Sequence, residues 1–107
     1  MFGLMVRFRL KPGGIDGFDR LVGETLPLIK AHEPGTLIYT VHTVQGSPTL
    51  RVFYELYRDR ESFDEHERQE HVRRFTAGRG PYLDGVDVDV LTLTGGAGLP
   101  HGAERWL

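Results

Sequence analysis

The chain contains no cysteine. That single absence removes disulfides, thiolate nucleophiles and thiolate metal ligands together, and it leaves the redox compartment open. Charge of one sign is also missing: thirteen Lys and Arg stand against fifteen Asp and Glu, for a formal net charge of −2, and the signs are interspersed. Such a surface carries no electrostatic footprint for nucleic acid or for an anionic membrane. No apolar run approaches the roughly 20 residues of a membrane-spanning helix. The opening MFGLMVRFRL is interrupted by Arg7 and Arg9 and lacks the ordered regions of a signal peptide. The expectation is a cytoplasmic protein.

What is present is ordinary for a globular domain. The 107 residues are 39% apolar and 26% charged, which suits one folded domain rather than a disordered chain. A chain this short hides only part of its unfolded surface, so it gains by pairing with a second copy.

The apolar periods outline six elements. Phe2, Leu4, Val6, Phe8 and Leu10 alternate with Gly3, Met5, Arg7 and Arg9, the period of two expected for a strand. KPGG breaks it, and from Ile15 the apolar residues Phe18, Leu21, Val22, Leu26 and Ile29 recur at helical spacing. Pro27 sits inside that helix, which ends before Pro34-Gly35. TLIYTVHTV, positions 36–44, reads as a second strand. QGSP has hairpin chemistry, so Leu50 to Tyr57 is expected to pair antiparallel with it. Asp59 is a good N-cap for a helix running from Arg60 to about Ala77, with a break near Glu67 to Gln69 where the apolar period lapses. VDVDVLTLT, from Val86 to Thr94, alternates as the fourth strand. The order β-α-β-β-α-β predicts an α+β, ferredoxin-like fold with helices on one face of an antiparallel sheet. Residues 1–95 are expected to form the domain, and 96–107 a flexible tail. The uncovered sheet face carries large groups, so sheet-to-sheet homodimerisation is expected.

At this point the residues resemble a known family. RVFYELYRDRESFDEHERQEHVRRF is similar to the hallmark segment of the antibiotic biosynthesis monooxygenase (ABM) domain family. The shared pattern is an aromatic-aliphatic strand with a central Glu, an acidic N-cap, and a helix with paired histidines. EPGTLIYTVH resembles the family's second strand, entered through a Pro-Gly turn, and the likeness spans roughly residues 2 to 94. The resemblance implies a ferredoxin-like monomer, a dimer closing an α+β barrel, and a pocket between sheet and helices. It also implies a mixed set of activities: cofactor-free oxidation of phenols and quinols by molecular oxygen, haem degradation, or isomerisation of small metabolites. Polyketide-oxidising members are associated with an Asn, Trp and Arg set, and haem degraders with Asn, Trp and His. This chain has no asparagine, and its one tryptophan, Trp106, lies in the tail, so neither set transfers.

The remaining candidates are His, Glu and Tyr. His66 follows Phe63 by three, on the face that should meet the sheet, and a modestly buried imidazole is a neutral base near physiological pH; the alternative is a histidine merely satisfied in the core. Glu55 is a carboxylate in an aromatic strand, and burying it demands a partner. It either pairs with Arg7, Arg9 or Arg51, or serves as base or as the group orienting His66. His71 is expected near the same face, as a second partner for His66. Tyr39, Tyr54 and Tyr57, with Phe63 and Phe75, are candidates for lining a substrate pocket or donating to an oxyanion. His42 is expected at an interface, and Arg73, Arg74 and Arg79 on a solvated helix face. Neither a metal nor a cofactor is expected. The resulting expectation is a homodimeric monooxygenase acting on a quinol or polycyclic phenol. The alternatives are a small-metabolite isomerase using the same His, or a non-catalytic ligand-binding dimer.

Overall fold

In the computed structural model of the chain, which describes residues 1–99, every expected element is present. β1 (Phe2–Leu10) is followed by a short 3-10 turn (Pro12–Gly14) and α1 (Ile15–His32). Pro27 lies within α1 without ending it; its missing N–H removes one bond of the ladder while the helix continues through tertiary packing. β2 (Thr36–Val44) and β3 (Ser47–Tyr57) form the hairpin, whose turn glycine, Gly46, has φ of 82°. That left-handed backbone is why glycine occupies the turn. β3 begins three residues earlier than the apolar run suggests, because the pairing with β2 carries on toward the turn. The second helical stretch is two helices, α2 (Arg60–Arg68) and α3 (Glu70–Gly78), and β4 (Leu83–Thr92) closes the fold. The expected tail, with Trp106, lies largely outside the described residues, which continue past β4 only to Leu99.

The strand order is β2-β3-β1-β4, all neighbours antiparallel. This is the ferredoxin-like α+β arrangement, with β1 and β3 central. The alternation of β1 sends Leu4, Val6, Phe8 and Leu10 into the core. There Phe8 meets Phe53 at 4.6 Å and Phe18 at 5.1 Å between ring centroids, and Phe18 meets Phe75 at 5.8 Å. Each such buried ring is worth about 1.5–3 kcal/mol in apolar area alone, so this cluster fixes the helices against the sheet. Arg51, buried on the same face, forms a two-pronged pair with Asp19 of α1 at 3.1 and 2.9 Å.

Among the described residues, no helix lies over the opposite face of the sheet. There Arg7 pairs with Asp89, and Arg9 with Asp87, across the β1–β4 ladder. These pairs are exposed and worth about 0–1 kcal/mol each. His42 is on this face as well, its Nε2 2.8 Å from the Thr40 hydroxyl.

Candidate active site between the sheet and the second helical pair

The break between α2 and α3 is a single residue, Gln69, whose φ and ψ of −65° and 138° are extended. On an uninterrupted helix, residues five apart are rotated by about 140°, so His66 and His71 would face different ways. The extended residue re-aims α3, and both imidazoles turn onto one carboxylate. That carboxylate is Glu33, at the C-terminal end of α1. His66 Nδ1 lies 2.5 Å from Glu33 Oε1, and His71 Nε2 lies 2.5 Å from Glu33 Oε2. The Thr36 hydroxyl donates to Oε1 at 2.7 Å. All three ionisable residues are buried.

Two local features set this geometry. Asp59 caps α2, its Oδ1 accepting from the Ser62 N–H at 2.7 Å, which fixes where the helix starts. Gly35 then lets α2 come close: a Cβ on it would stand 2.3 Å from Ser62 Oγ. With no side chain at position 35, His66 is carried to within bonding distance of Glu33.

Burial alone would raise the Glu33 carboxyl. The hydrogen bonds from His66 and Thr36, the charge of His66 and the bond from His71 outweigh it, so its pKa lies below the usual 4.5. Glu33 is therefore an anion and can only accept. Each imidazole therefore donates to it, so His66 holds a proton on Nδ1 and its Nε2 is the ring nitrogen left for a second partner.

His66 also lines a cavity of about 320 Å³ between the sheet and α2–α3. Its walls include Phe2, Phe8, Tyr39, Phe63 and Phe75, and the His66 ring lies 5.4 Å from Tyr39 and 5.2 Å from Tyr57. Glu55 opens into the same cavity. Burial is the first cause that holds its carboxyl above 4.5, with Glu67 adding to it; the Tyr57 hydroxyl, which donates at 2.5 Å, and the charge of His66 and Arg79 only partly oppose this. The Tyr39 and Tyr57 hydroxyls are pushed upward as well, by burial and then by Glu55.

The site differs from the sequence reading at several residues. Glu55 pairs with none of Arg7, Arg9 or Arg51: Arg7 and Arg9 lie on the uncovered face with Asp89 and Asp87, and Arg51 holds Asp19. It pairs instead with Tyr57, two residues along the same strand face. Tyr57 is fully buried behind the cavity wall. Tyr54 lies on the uncovered face, since strand side chains alternate, and borders a different depression with Gly3 and Leu91. His71 reaches Glu33 from outside and borders a surface hollow with His32 and Arg74 rather than the cavity. Arg79 leaves the solvated helix face assigned to it and lines the cavity, its guanidinium 5.2 Å above the Phe8 ring. Glu33 was missed altogether. Its one sequence signal is a negative charge at a helix C-terminus, where the macrodipole disfavours it unless a partner is near.

With this geometry in hand, comparison with known proteins is informative. The family model described as antibiotic biosynthesis monooxygenase matches residues 1–78. The chain belongs to that family. Among solved structures it is similar to Rv0793 from Mycobacterium tuberculosis, with 25% identity, a TM-score of 0.82, and coverage of 90% of this chain and 97% of that one. A crystal structure of an antibiotic biosynthesis monooxygenase matches at 25% identity and a TM-score of 0.80, covering 89% of this chain and 100% of that one. PA3566 from Pseudomonas aeruginosa matches at 24% identity and a TM-score of 0.80, over 88% of this chain and 94% of that one. No curated protein matches. Glu33, His66 and His71 all lie within the family match.

Proposed function

We propose that the protein is a homodimeric oxygenase that oxidises a quinol or polycyclic phenol with molecular oxygen, without metal or flavin. The observation that carries this reading is His66: a histidine with Nδ1 fixed on a buried carboxylate, placed in the wall of an aromatic cavity. Family membership supports the oxygenase class.

In the proposed reaction, His66 Nε2 removes the phenolic proton, and Glu33 stabilises the imidazolium that results. The phenolate passes one electron to oxygen, giving an aryloxyl radical and superoxide. These recombine at a ring carbon bearing hydrogen, forming a C–O bond, and the proton returns to the peroxide. Loss of water from that carbon leaves a quinone carbonyl, so one oxygen atom stays on the ring and the other departs as water. The aromatic walls keep bulk water from the radical pair. Glu55, held toward its protonated form by burial, is suited to return a proton, while Tyr39, Phe63 and Phe75 hold the ring. Glu33 is a positioning residue, and His71 steadies Glu33 rather than meeting the substrate.

Oxygen uptake with a panel of naphthols and quinols tests the proposal. Turnover should appear with at least one of them and fall by about 10²–10⁴-fold in His66→Ala, the usual contribution of a positioned base. Full oxygen uptake in His66→Ala would overturn it, as would anaerobic isomerisation of a hydroxy-ketone with no oxygen uptake on any phenol.

A further inference from the structure

The cavity holds two guanidiniums, and their circumstances differ. Arg60 is exposed and has a carboxylate partner, Asp64, at 3.2 Å, one helical turn away. It lies 5.0 Å above the Phe2 ring and 5.7 Å above the Phe63 ring. Arg79 is half-buried at the C-terminal end of α3, above Phe8 at 5.2 Å and Phe75 at 5.4 Å. Among the described residues, no carboxylate lies within ion-pair distance of it and no acceptor receives its side-chain N–H groups. The cation–π contacts satisfy the face of the guanidinium. They leave its edge, with five N–H donors in a planar fork, facing the cavity environment. Desolvation is felt there: burial pulls the Arg79 pKa down, and the neighbouring Tyr39, Glu67 and Glu55 only partly oppose it.

A half-buried guanidinium with no carboxylate partner among the described residues is available to an anionic ligand. The fork geometry matches a carboxylate through two parallel N–H···O bonds. The same cavity offers flat aromatic walls for a ring and His66 for a hydroxyl. Its volume of about 320 Å³ is at the small end of ligand sites, which suits a body of one or two fused rings. Resting on the reading of this cavity as the substrate site, we infer that the ligand is an aromatic carboxylic acid bearing a phenolic hydroxyl: Arg79 takes the carboxylate as a bidentate pair, and the hydroxyl is directed to His66. Arg79 is thus a specificity-determining residue that sets which way round the ring enters. Arg60, already paired with Asp64 and exposed, contributes stacking on Phe2 and Phe63 at the other end.

Binding without turnover tests this independently of the oxygenase proposal. Hydroxynaphthoate and naphthol share the ring and the hydroxyl, and differ in the carboxylate. Titration calorimetry of the whole protein under nitrogen should give hydroxynaphthoate a Kd lower than that of naphthol by about tenfold or more. Arg79→Gln should abolish that preference, bringing the two Kd values together. Arg79→Lys, which keeps the charge but not the fork, should retain a reduced preference, and it guards against a folding defect in the first variant. Equal Kd values for the two ligands in the wild type would overturn the inference, as would a preference that survives in Arg79→Gln. A protein that prefers hydroxynaphthoate through Arg79 yet consumes no oxygen with any phenol upholds this inference and removes the oxygenase reading alone.

Discussion

Two buried glutamates flank His66, and their surroundings move them in opposite directions. Glu33 stands behind the imidazole at the end of α1, where two histidines and a threonine hydroxyl point at its oxygens. Glu55 stands on the cavity side, near the C-terminal end of β3, with one tyrosine hydroxyl as its hydrogen-bond partner. Desolvation acts on both and is the largest influence in each case. The count of donors decides the outcome. Glu33 is held as an anion, and Glu55 is held toward the neutral acid. A pair of carboxyls pushed apart in this way is how one site supplies both a base partner and an acid.

The largest expected effect comes from removing the donors' common target. Glu33→Ala strands two buried imidazoles without an acceptor, and should lower stability by about 3–5 kcal/mol in urea unfolding. Loss of under about 1 kcal/mol would mean that the two histidines find water instead, and that Glu33 is not the anchor of the site. Next comes the approach of α2. Gly35→Ala places a methyl within 2.3 Å of Ser62 Oγ, so α2 must move away and His66 with it. A loss of about 1–3 kcal/mol is expected, together with loss of turnover. Retained turnover would show that the dyad does not depend on that close packing.

The smallest effect sharpens the contrast most, because its sign depends on pH. Glu33 has a folded pKa below its ordinary 4.5, so its stabilising contribution is fully present above that value and is lost as the pH falls through the folded value. Glu55 has a folded pKa above 4.5, so its contribution is present below that value and is lost as the pH rises through the folded one. Glu55→Gln should therefore be close to neutral in acid and become relatively more stable toward neutral pH. Glu33→Gln should show the reverse, its deficit shrinking in acid. Chemical denaturation at a series of pH values reads both, and parallel slopes would contradict the comparison.

How much of this was legible in the sequence varies with the range of the interaction involved. Strand alternation from Phe2 to Leu10, the Asp59 cap and the lapse of periodicity before His71 are local, and each survives in the structure. The resemblance carried by the β3–α2 segment led to the family. The partner of His66, however, lies thirty-three positions away, and only the fold brings α1's last turn under α2. Tyr54 and Glu55 are adjacent in sequence and on opposite faces of the sheet. A resemblance that names both does not say which face carries the cavity. Arg79 follows the run Arg73-Arg74 and reads as more of the same solvated charge. Its place above Phe8 depends on where α3 ends against the sheet.

The central claim is that Glu33 fixes His66 with its proton on Nδ1 and a free Nε2 toward the cavity. Nitrogen-15 NMR of the histidine rings measures this directly, with no substrate needed. In the wild type at mildly alkaline pH, His66 is expected to show a protonated Nδ1 with a strongly downfield proton and an unprotonated Nε2, and Glu33→Gln should remove that downfield proton. A neutral His66 carrying its proton on Nε2 in the wild type would contradict the account.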